Sequence, residues 1–187
     1  MKVILLNGSR REQGCTYTAL TEVAKPLQQS GIDTEIIHAV PTDEVVATVA
    51  EKLKTADGLV LGSPVYWASP SGEMVTFMDK LAAAAGAYLP HKVGAAVTSA
   101  RRAGTTATLD VLNKYLQYHQ MIIASSNYWN MVHGNTPAEV QQDKEGLQIM
   151  HVLGQNMAWI LKCIEAGKKN GIAAPKSEPK VMTNFIR

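Results

Sequence analysis

The chain has 187 residues, 46% of them hydrophobic and 18% charged, with a formal net charge of +2. That length suits one domain able to bury a full core without disulfides or metals. So small a charge argues against nucleic acid or an anionic membrane surface as a partner. The two cysteines, Cys15 and Cys163, form neither a metal-ligand spacing nor a disulfide framework and fit a reducing cytoplasm. No leader pattern and no apolar stretch of the ~20 residues that span a bilayer are expected.

Short apolar runs alternate with helical segments along the chain. The predicted strands are Lys2–Leu6, Thr34–Ile37, Gly58–Leu61, Val93–Thr98 and Met121–Ala124. The predicted helices are Thr16–Ser30, Asp43–Lys54, Gly72–Ala85, Thr105–Tyr118 and Asp143–Gly167. Val3–Leu6 and Leu59–Leu61 are apolar throughout, as strands covered on both faces should be. Gly31 caps the first helix and Pro41 precedes the second. Alternating strands and helices imply right-handed crossovers and a parallel sheet between helix layers. Five such strands fit the doubly wound order 2-1-3-4-5, whose ligands sit at the carboxyl ends of the strands. Residues 1–171 form the domain. Residues 172–187, with Pro175 and Pro179, break the periodicity and form a tail that is either mobile or packed on a partner subunit, the second reading favoured because it ends in Val181-Met182 and Phe185-Ile186.

The first strand feeds Asn7-Gly8-Ser9-Arg10-Arg11-Glu12-Gln13-Gly14-Cys15 and then a helix. The first amides of a helix lack internal partners and lie at its positive end, so this loop is an anion site. Ser9, Thr16 and Thr18 add hydroxyls, and Arg10 or Arg11 adds charge. After the third strand, Gly62-Ser63-Pro64-Val65-Tyr66-Trp67 sets two adjacent aromatics in a Pro/Ser/Gly loop, positioned either to lie against a flat ring or to cap the core or a subunit contact. After the fourth comes Ser99-Ala100-Arg101-Arg102-Ala103-Gly104, small residues plus an arginine pair. After the fifth comes Ser125 to Gly134, whose Tyr128-Trp129 pair is placed either to cover the site or, the favoured reading, to bury itself in an oligomer interface.

Gly8-Ser9-x-Arg11-x-x-Gly14-x-Thr16, Gly62-Ser63-Pro64-Val65-Tyr66-Trp67 with Ser71-Gly72, and Lys92-Val93-Gly94-Ala95-Ala96 resemble the NADPH-dependent FMN reductase family. This is the flavodoxin-like branch that includes iron–sulfur flavoproteins and quinone reductases, and the resemblance runs from the first strand through Tyr128-Trp129-Asn130. It implies a flavodoxin-like fold with FMN as cofactor. Ser9, Arg11, Gly14, Cys15 and Thr16 would hold the phosphate. Pro64, Val65, Tyr66 and Trp67 would run beside the isoalloxazine, and Thr98, Ser99, Ala100 and Arg101 would flank its other edge. Arg10 stands where the family usually has Pro, and Cys15 where it often has Asn. The cysteine cluster of the iron–sulfur members is missing, so no cluster and no metal site is expected.

The resemblance further implies an oxidoreductase that takes electrons from NADPH or NADH and passes them to a small-molecule acceptor. It also implies a homodimer or homotetramer. The flavin would carry the reaction, so no catalytic side chain is assigned. Arg101 or Arg102 would meet the 2′-phosphate of NADPH. His38, His91, His119 and His151 read as ordinary solvated or hydrogen-bonded histidines. His133 lies in the fifth loop, within reach of a flavin, and Met150 and Met157 read as core. A P-loop hydrolase is excluded because five residues separate Gly8 from Gly14 and Cys15 stands where its lysine belongs. A flavodoxin-type electron carrier, or a flavin-binding redox sensor without turnover, remains the alternative; carriers tend to be strongly acidic, and this chain is not.

Overall fold

Val3, Ile4, Leu5 and Leu6 are all fully buried, and their alternation divides the core in two. Ile4 and Leu6 pack with Val49, Leu53, Met74, Phe77 and Leu109 on one side of the sheet. Val3 and Leu5 pack with Leu20, Val23, Leu153 and Met157 on the other. A strand with both faces covered belongs in the middle of a parallel sheet. The computed structural model places it there and describes residues 1–176, 178–183 and 185; Ile186, which the sequence reading groups with the apolar end of the tail, lies outside them.

The elements are β1 (Lys2–Asn7), α1 (Cys15–Gln29), β2 (Asp33–His38), α2 (Asp43–Thr55), β3 (Gly58–Tyr66), β4 (Ser69–Pro70), α3 (Gly72–Ala85), β5 (Val93–Ala100), α4 (Thr105–Tyr118), β6 (Ile122–Ile123), β7 (Met131–His133), α5 (Pro137–Val140) and α6 (Lys144–Lys169), with a single 3-10 turn at Gly86–Tyr88. The sheet runs β2-β1-β3-β5-β6, with β7 also paired to β5. This is the expected doubly wound order, its fifth position filled by two pieces. Among the described residues, no helix is long and apolar enough to cross a membrane.

The fifth strand departs from expectation. Met121–Ala124 supplies only Ile122 and Ile123, opposite Val93 and Gly94. The chain then leaves the sheet and returns as Met131–His133, opposite Thr98–Ala100. Ser126 stands where the chain departs: its hydroxyl lies 2.6 Å from the Tyr128 carbonyl oxygen and 2.7 Å from Asn130 Oδ1, its one hydrogen shared between local acceptors that replace the ladder. Asn130 closes the gap, its Nδ2 donating to Ala96 O at 3.0 Å and its carbonyl accepting from Thr98 N.

β3 is longer than predicted because Tyr66 turns back through Trp67 and Ala68 to pair with Ser69 in β4. Both turn residues have positive φ, +53° and +56°, as a two-residue hairpin of the I′ type requires. Gly104, at φ +99°, packs beneath this turn, where a Cβ would come within 2.8 Å of Ala68 Cα.

α1 and α6 cover one face together and touch closely at Gly154. Met150 and Met157 are fully buried there, as expected. Asp143 caps α6, its Oδ1 accepting from Gly146 N at 2.9 Å, while its Oδ2 accepts from His133 N at 2.6 Å. Beyond α6 the described residues form no helix or strand. Lys180 Nζ donates to Tyr118 Oη at 2.8 Å and lies 4.1 Å from that ring. Val181 and Phe185 stand exposed.

Candidate functional site

The loop between β1 and α1 is held from beneath by its own residues. Asn7 Oδ1 accepts from Ser9 N at 3.1 Å, and Ser9 Oγ accepts from Arg11 N at 3.1 Å. Gly8 N reaches Gly62 O at 2.8 Å, tying the loop to β3. Gly14 is the α1 N-cap in extended conformation and provides no side-chain cap. The first helical amide bond runs from Thr18 to Gly14, so the amides of Cys15, Thr16 and Tyr17 have no helical acceptor. Of these, Cys15 and Thr16 lie beside the carboxyl ends of β3 and β5.

These strand ends complete a cavity of about 220 Å3. Its lining is Ser9, Arg11, Gly14, Cys15 and Thr16 from the first loop, Pro64, Val65 and Tyr66 from β3, and Ser99, Ala100 and Arg101 from β5 and its loop, with Gly134 and Asn135. Thr16 Oγ1 and Ser99 Oγ, both buried, share a hydrogen bond of 2.8 Å that fixes α1 against β5. Cys15 Sγ donates to Gly134 O at 3.6 Å, and burial pushes its thiol up in pKa.

Two expected lining residues lie elsewhere. Trp67 is fully exposed at the hairpin tip, because the left-handed turn carries its side chain off the sheet end. Thr98 is fully buried beneath the cavity, its amide in the link to Asn130 and its hydroxyl without a partner among the described residues. Other polar groups are spoken for. Arg10 pairs with Glu73 at 2.5 Å and lies over Tyr66, so Arg11 is the arginine of this loop that faces the cavity. Thr18 Oγ1 donates to Gly14 O. His133 is held by Asp143 through its amide and does not line the cavity.

Gly134 and Asn135 are missing from the predicted site. They follow β7, the true carboxyl end of the fifth strand position. Their signal was the Gly in Val132-His133-Gly134, read from the sequence as the far end of a long loop.

Strands, crossovers and a cavity at the sheet's carboxyl end define a flavodoxin-like fold. The comparisons agree. A solved flavodoxin, WrbA-like protein from Agrobacterium tumefaciens shares this fold at TM-score 0.67 and 18% identity, over 87% of this chain and 97% of that one. The chain belongs to the NADPH-dependent FMN reductase family, whose sequence model matches residues 1–136. It is 29% identical to an iron–sulfur flavoprotein of Methanocaldococcus jannaschii over 192 residues, 88% of this chain and all of that protein. It is 34% identical to an FMN reductase (NADPH) of Escherichia coli over 94 residues, covering 43% of this chain and 48% of that one.

Proposed function

We propose that this protein is a cytoplasmic FMN-dependent NAD(P)H oxidoreductase, passing electrons from a nicotinamide through FMN to a small acceptor such as a quinone or a free flavin. The observation that carries the reading is the cradle at Gly14. A Cβ built there would meet Arg11 Cβ at 3.1 Å, the Arg11 carbonyl oxygen at 3.4 Å and Ser9 Oγ at 3.5 Å, so the loop folds tightly over a bare glycine beside the hydroxyl and helix amides that a phosphate would use. The donor set matches that group: unpartnered helix amides, the Ser9 and Thr16 hydroxyls, and the Arg11 guanidinium.

When bound, FMN supplies hydride acceptance from the nicotinamide and one- or two-electron transfer onward. The chain's own residues hold and orient it. The first loop would hold the phosphate, Pro64, Val65 and Tyr66 would form one wall, and Ser99, Ala100 and Arg101 the opposite edge. Pro64 fixes φ and limits the cost of ordering that wall. No side chain in the cavity is needed to exchange a proton with substrate.

The visible spectrum of the purified protein, before and after anaerobic NADPH, tests this reading. Flavin bands that bleach promptly are expected. Bleaching by dithionite alone would favour the electron carrier or sensor, and a colourless protein that fails to bind added FMN would sink the flavin reading.

Arg101 or Arg102 makes the proposed contact with the NADPH 2′-phosphate, Arg101 at the cavity wall and both exposed. Replacing both with alanine should raise KM for NADPH about tenfold while moving KM for NADH less than twofold, since a charge-assisted phosphate contact contributes roughly 1.5–3 kcal/mol. Equal changes with both donors would remove the assignment. The exposed Tyr128-Trp129 pair and the apolar tail support a homodimer or homotetramer.

A further inference from the structure

His38 ends β2, one strand away from the phosphate loop, and from sequence it reads as an ordinary histidine. Its Nε2 lies 2.7 Å from the Ser9 carbonyl oxygen. A carbonyl only accepts, so Nε2 carries the hydrogen. The same treatment recurs along the loop. Ser71 Oγ donates to Gly8 O at 2.6 Å, Asn7 Nδ2 to Glu12 O at 2.7 Å, and Gly14 N to Arg11 O at 3.2 Å. These donors come from β1, β2, the α3 N-cap and the loop itself.

The pattern has an electrostatic purpose. A loop carbonyl is the negative end of its peptide dipole, and one turned inward would oppose an anion. In a trans peptide the N–H points opposite to the C=O. The peptide gripped by His38 is Ser9–Arg10, and the Arg10 amide has no acceptor among the described residues.

Resting on the FMN reading above, we propose that His38 is a positioning residue for flavin selectivity. By holding the Ser9 carbonyl against β2, it presents the N–H of the Ser9–Arg10 peptide to the phosphate, and the site thereby selects phosphorylated flavin over riboflavin. His38 touches neither the ring nor the phosphate; it acts through the loop backbone.

Dissociation constants for FMN and riboflavin, read by quenching of flavin fluorescence, test this in the wild type and in His38→Phe, His38→Ala and His38→Gln. The Phe and Ala variants, which cannot donate, should lose about tenfold in FMN affinity, the scale of one positioned hydrogen bond. Their riboflavin affinity should stay within twofold. Gln carries an amide donor of similar reach and should restore most of the FMN affinity. An FMN-to-riboflavin ratio unchanged in both Phe and Ala variants would overturn the proposal, as would equal loss for the two flavins or a Gln variant as weak as Ala. Wild-type protein that binds neither flavin would overturn this and the flavin reading together. Wild type that binds FMN, with Phe and Ala variants that bind it equally well, would overturn this alone.

Discussion

Gly14→Val should lower FMN affinity at least about a hundredfold and leave the fold in place. The backbone at Gly14 is extended, φ −89° and ψ −165°, a conformation valine adopts readily. The cost therefore falls on the ligand. The first carbon of the side chain would already stand 3.1 Å from Arg11 Cβ and 3.5 Å from Ser9 Oγ, and the bulkier valine would crowd the loop further. An excluded phosphate forfeits several charge-assisted bonds of roughly 1.5–3 kcal/mol each, and about 2.7 kcal/mol already equals a hundredfold. Riboflavin binding should fall much less, because the ring walls are untouched. The check is a pair of flavin titrations alongside a melting curve of the flavin-free protein. FMN affinity within threefold of wild type would show that the phosphate sits elsewhere.

Gly154→Val should be the most damaging single change to the fold. Gly154 is buried in α6 where that helix crosses α1. A Cβ there would lie 2.3 Å from Val23 O and 2.5 Å from Pro26 Cγ. Neither neighbour can yield easily. The first is backbone, and the second is a ring with no rotamers to escape into, so the helices must part. Overpacking typically costs 1–3 kcal/mol, and a clash with backbone belongs at the upper end, about 3 kcal/mol. For a chain of this size that lowers Tm by roughly 6–12 °C. Thermal unfolding of the flavin-free variant measures it without the masking effect of a bound ligand. A change under 1 °C would mean that α1 and α6 do not meet at this glycine.

The sheet was legible in the sequence wherever pattern alone decides it. Val3–Leu6 had to be a strand covered on both faces, and the Gly–hydroxyl loop after it had to precede a helix. The order of strands followed from alternation and handedness. What the sequence did not reveal depends on contacts between distant residues. Met131–His133 is too short to announce itself as a strand, and its pairing with β5 follows a long-range bond from Asn130 to the Ala96 carbonyl that no local pattern reveals. Arg10 and Arg11 are interchangeable in a string of letters. Glu73, sixty-three residues on, takes the first and leaves the second to the cavity. Trp67, which reads from the sequence either as a wall for a flat ring or as a cap on the core or a subunit contact, stands exposed at the hairpin tip because Trp67 and Ala68 both take positive φ.

The two-piece fifth strand separates what can change from what cannot. β6 and β7 are each registered on β5 independently, at Val93–Gly94 and at Thr98–Ala100. In an unbroken strand, inserting or deleting one residue would flip every later side chain to the opposite face. Here the stretch from Ser125 to Tyr128 can absorb length changes as a surface loop, at an entropic cost that grows only slowly with length. The lip formed by Gly134 and Asn135 keeps its place. A change of length in that exposed loop therefore need not disturb the pairing at Thr98–Ala100 or the Gly134 and Asn135 wall of the cavity.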